Sequence, residues 1–205
     1  AVKAGYVTKK DTISVTEDTE KTITMEKAPE STRKDVSAAW KNFRNSDDNM
    51  GITSAKTPTS EATTYEKWFK KLGSGWGAAP SVQIIVDNSL IVMSANHIYK
   101  LDLNTGDILQ TGDMVAATNF GYTPPTYADG MIFAPLADGR VQAFNAETLE
   151  SLWVYQDTLK GQSLSPITYS DGYIYTGFWN AETKDANYVC IPVTDEDPTN
   201  AQEAK

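Results

Sequence analysis

A step of 42 residues recurs along this chain and constrains its fold more than any other feature. Pro124-Pro125-Thr126-Tyr127-Ala128-Asp129-Gly130-Met131-Ile132-Phe133 places prolines and an aromatic before an Asp-Gly turn and an apolar run. Upstream, residues 80–92 carry the counterpart, with Pro80, Asp87-Asn88 and Leu90-Ile91-Val92. Downstream, residues 166–175 carry it again, with Pro166, Tyr169, Asp171-Gly172 and Tyr173-Ile174-Tyr175. The turn aspartates stand at 87, 129 and 171, two steps of 42. Self-similarity at a period of about 20–50 residues marks a repeat architecture, and a four-stranded propeller blade takes about 40–45. The chain is therefore expected to be all-β, a partial β-propeller of about three blades.

The strands can be placed by their period-2 alternation. In the first repeat they fall at 83–86, 89–94 and 97–103, and Asn104-Thr105-Gly106 closes a hairpin. Gly106 supplies the positive φ that such a turn needs. In the second repeat they fall at 130–135, 140–145 and 150–155, and the third runs from 165 to 192 with a long hairpin over 179–187. Trp68-Phe69-Lys70-Lys71-Leu72 reads as a further strand before the first repeat. Gly73-Ser74-Gly75-Trp76-Gly77 reads as a connection, because a phosphate loop would need a Lys and a helix. Residues 1–30 also read as strands, at 4–8, 12–16 and 21–26, and two or three strands need a partner sheet to be stable.

Composition narrows the function. Asp and Glu outnumber Lys and Arg by 27 to 18 for a net charge of −9, which argues against nucleic acid and anionic membranes as partners, since both require clustered positive charge. No apolar run reaches the ~18 residues of a membrane span. Cys190 is the single cysteine, so neither an internal disulfide nor a multi-cysteine metal site is possible. The chain opens Ala1-Val2-Lys3, which reads as a processed or excised piece of something longer. Few propellers close with three blades, since rings usually hold about four to eight. The remaining blades are expected from the parent protein or from a second copy.

The repeats resemble the pyrroloquinoline-quinone-type propeller. This is the eight-bladed fold of quinoprotein alcohol dehydrogenases and of the non-enzymatic propeller lipoproteins of outer-membrane assembly. The family repeat ends Ala-x-Asp-x-x-Thr-Gly-x-x-x-Trp, its Trp docking on a neighbouring blade. Here Ala143-Phe144-Asn145-Ala146-Glu147-Thr148-Leu149 leads to Trp153, with Asn145 in the Asp position and Leu149 in the Gly position. Lys100-Leu101-Asp102-Leu103-Asn104-Thr105-Gly106 leads to Gln110 in the Trp position, and Trp40-Lys41-Asn42-Phe43-Arg44 is similar to the Trp-x-x-Phe-Arg that opens the first blade. Residues 1–30 resemble the last strands of an immunoglobulin-like or carboxypeptidase-regulatory-like surface domain. The implied organisation is 1–30 as those strands, 31–39 as a linker, 40–192 as propeller blades, and 193–205 as an acidic tail or the start of the next strand.

The resemblance does not bring an active site with it. Quinone and calcium enter by family analogy alone, because the Glu-Asn-Asp set, the Asp base and the adjacent-cysteine disulfide have no match here. No catalytic or metal residues are assigned. Asp47-Asp48-Asn49 lacks the alternating ligands of a calcium loop and reads as a polar turn. His97 has no catalytic partner nearby. Cys190, between Val189 and Ile191, reads as a small core residue. Trp68, Trp153, Tyr127 and Tyr169 read as blade packing. Trp76, Trp179, Phe178 and Tyr122, near repeat junctions, are the candidate ligand-binding residues, since aromatics beside polar groups stack on sugars or hold protein partners. The expected function is a non-enzymatic scaffold, extracellular or on the cell surface, binding a protein or a glycan. The alternative is a quinone-dependent alcohol dehydrogenase with its active site in other blades.

Overall fold

Alternating apolar residues between tight turns produce antiparallel ladders almost where the repeat puts them. The computed structural model describes residues 1–73, 75–118, 123–181 and 184–205, and for Trp76 the backbone alone. Blade I comprises β2 (Ile84–Val86), β3 (Ser89–Ser94), β4 (His97–Asp102) and β5 (Ile108–Asp113), with β1 (Ala38–Trp40) added on the β2 side. Blade II comprises β6 (Thr126–Ala128), β7 (Met131–Leu136), β8 (Arg140–Asn145) and β9 (Ser151–Gln156). Blade III comprises β10 (Thr168–Ser170), β11 (Tyr173–Gly177) and β12 (Tyr188–Pro192). The repeat turns are left-handed at Asp87, Asp129 and Asp171 (φ 50°, 53° and 49°). Aspartate tolerates that conformation better than most side chains. The fold is a nearly all-β propeller array; among the described residues no helix is long and apolar enough to cross a membrane.

Blade II is the centre of the array, and each of its faces closes one core. On one side Ile132, Ala134, Leu136 and Phe144 meet Ile84, Ile91, Met93 and Ile98 of blade I. On the other, Met131, Phe133, Val141, Ala143 and Trp153 meet Ile167, Ile174 and Ile191 of blade III. Each such side chain, once fully buried, contributes about 1.5–3 kcal/mol before entropy is counted. The outer strand β5 was not legible in the sequence, since Gln110-Thr111-Gly112-Asp113 carries few strand formers. It forms because β4 offers a ladder.

The two departures from the family repeat compensate each other. Asn145 does the work of the Asp: its Oδ1 accepts from the N–H groups of Glu147 (2.8 Å) and Thr148 (3.3 Å), as Asp102 Oδ1 does from Asn104 (2.7 Å) and Thr105 (2.9 Å). Those backbone donors hold the Asp102 carboxyl below the usual range. Gly106 lies under the Trp68 ring, where a Cβ would come within 2.4 Å. Leu149 keeps the left-handed turn (φ 58°). The preceding blade meets it with Gly112, where a Cβ would stand 2.7 Å from the Leu149 carbonyl oxygen. A leucine in place of the glycine is thus matched by Gln110 and Gly112 in place of a docking tryptophan.

Two expectations are corrected. Residues 4–26 form no strands; their one ladder contact is the bridge Tyr6–Lys27. They form an arm that crosses the turn end of the array. Ala4 N–H donates to Tyr173 Oη (2.9 Å) and Gly5 N–H to Thr194 Oγ1 (2.7 Å). The Lys34 carbonyl oxygen lies 2.8 Å from where a Gly130 Cβ would stand. Asp87 N–H then donates to the Ser37 carbonyl (2.8 Å), and β1 pairs with β2. Residues 68–72 likewise join no ladder, although Trp68 Nε1 donates to the Leu103 carbonyl (3.1 Å). The tail, expected as an acidic tail or the start of the next strand, folds back as β13 (Glu203–Ala204), parallel to β9.

Tyr127, on the innermost strand of blade II, fastens this arm. Its hydroxyl accepts from Val36 N–H (2.7 Å) and donates to Asp35 Oδ1 (2.5 Å). Burial, and then the bond to Asp35, push the phenol up to about 12 from 10.0. A raised phenol stabilises the fold fully below pH 10 and loses that contribution as pH rises through about 12. Tyr127→Phe is expected to cost about 1–3 kcal/mol at neutral pH. In urea titrations across pH 9 to 12, the variant should lack most of the alkaline loss that the parent shows.

Candidate binding rim

Antiparallel strands send alternate connections to opposite ends of a blade. The Asp turns and the hairpins at 103–107 and 146–150 therefore share one end, which the arm crosses. The other end collects the short hairpins at 95–96 and 137–139, the long one at 178–187, and the blade-to-blade connections. Trp76 lies there too, in the turn Trp76–Ala78, whose Ala78 carbonyl accepts from Ser94 Oγ (2.6 Å) at the end of β3. Tyr122 lies outside the described residues.

The best-defined part of this rim is built around Asp157, which is fully buried. Its Oδ2 accepts from Leu159 N–H (3.0 Å) and its Oδ1 from Asn187 Nδ2 (2.8 Å), while its own N–H donates to the Gly139 carbonyl (2.8 Å). One carboxylate therefore ties together the connection after β9, the long hairpin of blade III and the short hairpin of blade II. Two glycines make the close approach possible. A Cβ at Gly139, in the left-handed region (φ 68°), would stand 2.8 Å from Asp157 Cβ, and one at Gly161 would stand 2.8 Å from the Trp179 carbonyl.

On this frame Trp179 is held by its backbone and exposed at its side chain. It exchanges main-chain bonds with Gln162 (2.6 and 2.9 Å), and its side chain remains 47% exposed. Leu159 and Leu164, exposed on the same connection, extend the apolar surface. Phe178, expected beside Trp179 as a ligand contact, is instead buried and stacked on Tyr155 (centroids 6.1 Å apart). Consecutive residues point to opposite sides, so only one of this pair can face out. The connection 157–164 was missed in the sequence.

The other candidates are structural. His97 Nδ1 lies 3.0 Å from its cross-strand partner Asp113. Asp47 is engaged by Lys41 Nζ (2.6 Å) and Asn42 Nδ2 (3.2 Å), as a polar turn would be. Among the described residues no group of three or more His, Cys, Asp and Glu side chains could hold a metal ion. Cys190 is not a core residue. It is exposed, because Val189 and Ile191 take the inward positions of β12.

A solved structure shares this architecture. Quinohemoprotein alcohol dehydrogenase ADHIIG from Pseudomonas putida HK5 superposes with a TM-score of 0.62 at 18% identity, over 77% of this chain and 25% of that one. BamB from Moraxella catarrhalis gives a TM-score of 0.42 at 21% identity, over 54% of this chain and 36% of that one. This chain thus spans about a quarter and a third of their lengths. No curated protein matches the sequence significantly. Residues 60–180, more than half of the chain, match the family described as outer membrane protein assembly factor BamB, and the chain belongs to that family of pyrroloquinoline-quinone-type propeller repeats.

Proposed function

We propose that this chain is a non-enzymatic binding scaffold, secreted or held on the cell surface, whose open rim takes a protein or glycan partner. The observation that carries this reading is Trp179, a large aromatic tied through its backbone to Gln162 and left 47% exposed. Exposed tryptophans on preorganised loops are the typical centre of a binding surface, since little ordering entropy opposes the contact. The family's described role in assembling other proteins agrees with a scaffold rather than a catalyst.

The test is binding of the purified chain to glycan arrays and to extracellular protein libraries, repeated with Trp179→Ala. The expected result is a bound ligand whose affinity falls about 30-fold in the variant, equivalent to ~2 kcal/mol. Unchanged binding in Trp179→Ala would remove the rim from consideration. Dye-linked alcohol oxidation after addition of pyrroloquinoline quinone and calcium would support the dehydrogenase alternative instead.

A further inference from the structure

Gln162 and Trp179 donate to each other's carbonyls, at 2.6 Å from Gln162 N–H and 2.9 Å from Trp179 N–H, and form an isolated antiparallel bridge. In such a hydrogen-bonded pair the Cα atoms stand about 5.5 Å apart, and the two side chains share a face. Their neighbours settle which face it is. Phe178 and Ser163 are buried, and the Ser163 hydroxyl donates to the Arg140 carbonyl (3.2 Å). Alternation then turns Gln162, Leu164 and Trp179 outward. A carboxamide and an indole therefore stand side by side on the rim.

Neither polar group is used by the fold. Among the described residues, the Gln162 carboxamide and the Trp179 Nε1–H have no hydrogen-bond partner. The carboxamide offers two donors and an acceptor, and the indole offers one donor. The apolar surface in this part of the rim is small. It consists of Trp179, Leu159 and Leu164, exposed to 47%, 38% and 39%. A stable protein interface draws on about 20–30 residues a side, which these three residues do not approach. One sugar ring needs much less: its C–H face can lie on an indole while its hydroxyls use an adjacent donor and acceptor. None of the outward side chains Gln162, Leu164 and Trp179 is charged, so an ionic ligand finds no counter-charge there.

We propose that Gln162 and Trp179 form a binding site for a neutral hexopyranose unit of a glycan, with the indole as its floor and the carboxamide as its hydrogen-bonding wall. The inference rests on the scaffold reading above and names the class of ligand for that rim. Asp157 makes the site rigid, because its carboxylate ties the connection that carries Gln162 to the hairpin that carries Trp179. Little is then ordered on binding. The two side chains divide the work. The indole holds any sugar with a C–H face, and Gln162 selects among sugars by the orientation of their hydroxyls.

Saturation-transfer NMR on the full chain with methyl β-glucoside, methyl β-galactoside and methyl α-mannoside tests this. At least one should bind with a dissociation constant of about 1 mM, as expected for a single stacked ring, with the strongest transfer at its C–H face. Trp179→Ala should abolish the transfer. Gln162→Ala keeps the main-chain bridge and should weaken binding about 5-fold, the effect of one net hydrogen bond, while changing the order of preference among the three sugars. Circular dichroism should be unchanged in both variants. Transfer that survives Trp179→Ala overturns the proposal, as does a Gln162→Ala variant with unaltered affinity and preference. Absence of transfer from all three sugars at about 20 times the expected constant overturns it too. If the sugars fail but a protein partner is lost in Trp179→Ala, the glycan site falls and the scaffold reading stands. If Trp179→Ala alters no binding at all, both fall.

Discussion

Trp153→Ala should destabilise the chain by about 3–5 kcal/mol, the range for deleting a buried tryptophan. Trp153 is fully buried, and it joins two blades rather than filling one. Its ring meets Phe133 at 5.8 Å between centroids, its Nε1 bonds the Val193 carbonyl, and Lys205 Nζ lies 6.0 Å over its face. The alanine would therefore open a cavity between blades II and III and release the turn that begins the tail. Trp153→Phe separates the contributions. It keeps most of the apolar volume but leaves the Val193 carbonyl unpaired, for a smaller loss of about 1–3 kcal/mol. The check is urea unfolding followed by circular dichroism. A loss under 1 kcal/mol in Trp153→Ala would mean that the interface between blades II and III does not hold the fold together.

Arg33→Ala is expected to cost a similar amount, about 3–5 kcal/mol, because it leaves a buried charge without its partner. Arg33 Nη1 lies 3.1 Å from Asp195 Oδ2, with the two side chains 10% and 5% exposed. This pair links the arm to the tail. Burial raises the Asp195 carboxyl, and the Arg33 guanidinium opposes that rise. Without Arg33 the carboxyl rises further. A raised carboxyl costs stability only where it must ionise, so the penalty is absent below its unfolded pKa and develops as pH rises through the folded one. The deficit of Arg33→Ala should thus shrink as pH falls toward 4. Arg33→Met with Asp195→Leu should recover most of the loss, since a buried pair replaced by apolar groups of like size is often neutral. A deficit independent of pH would show that Arg33 acts through packing alone.

The acidic neighbour of this pair behaves oppositely. Burial opposes ionisation of Glu196, but bonds from Thr8 N–H and Oγ1 (2.7 Å each), with the charge of Lys205, hold its carboxyl below the usual range. Two adjacent carboxyls of the same tail thus shift in opposite directions, according to which donors the arm and the last residue bring to each.

The repeat was legible because its causes are local. A left-handed aspartate between alternating apolar residues dictates a hairpin whatever surrounds it, and three of them at one step dictate three blades. The tryptophan pattern was legible for the same reason, down to Asn145 serving in place of Asp. By itself the sequence determined the repeat of the blades and the family they resemble. The tertiary structure decided everything that depends on a neighbour far along the chain. Arg33 meets Asp195 and Thr8 meets Glu196 across more than 160 residues, and no local pattern encodes such contacts. Residues 1–30 alternate as strands do, yet they become an arm tied to blade III and the tail through Tyr173, Thr194 and Glu196. Phe178 and Trp179 are adjacent aromatics, and only the position of blade II buries the first and frees the second. Cys190 reads as core by its apolar flanks, but only one face of β12 has a blade against it.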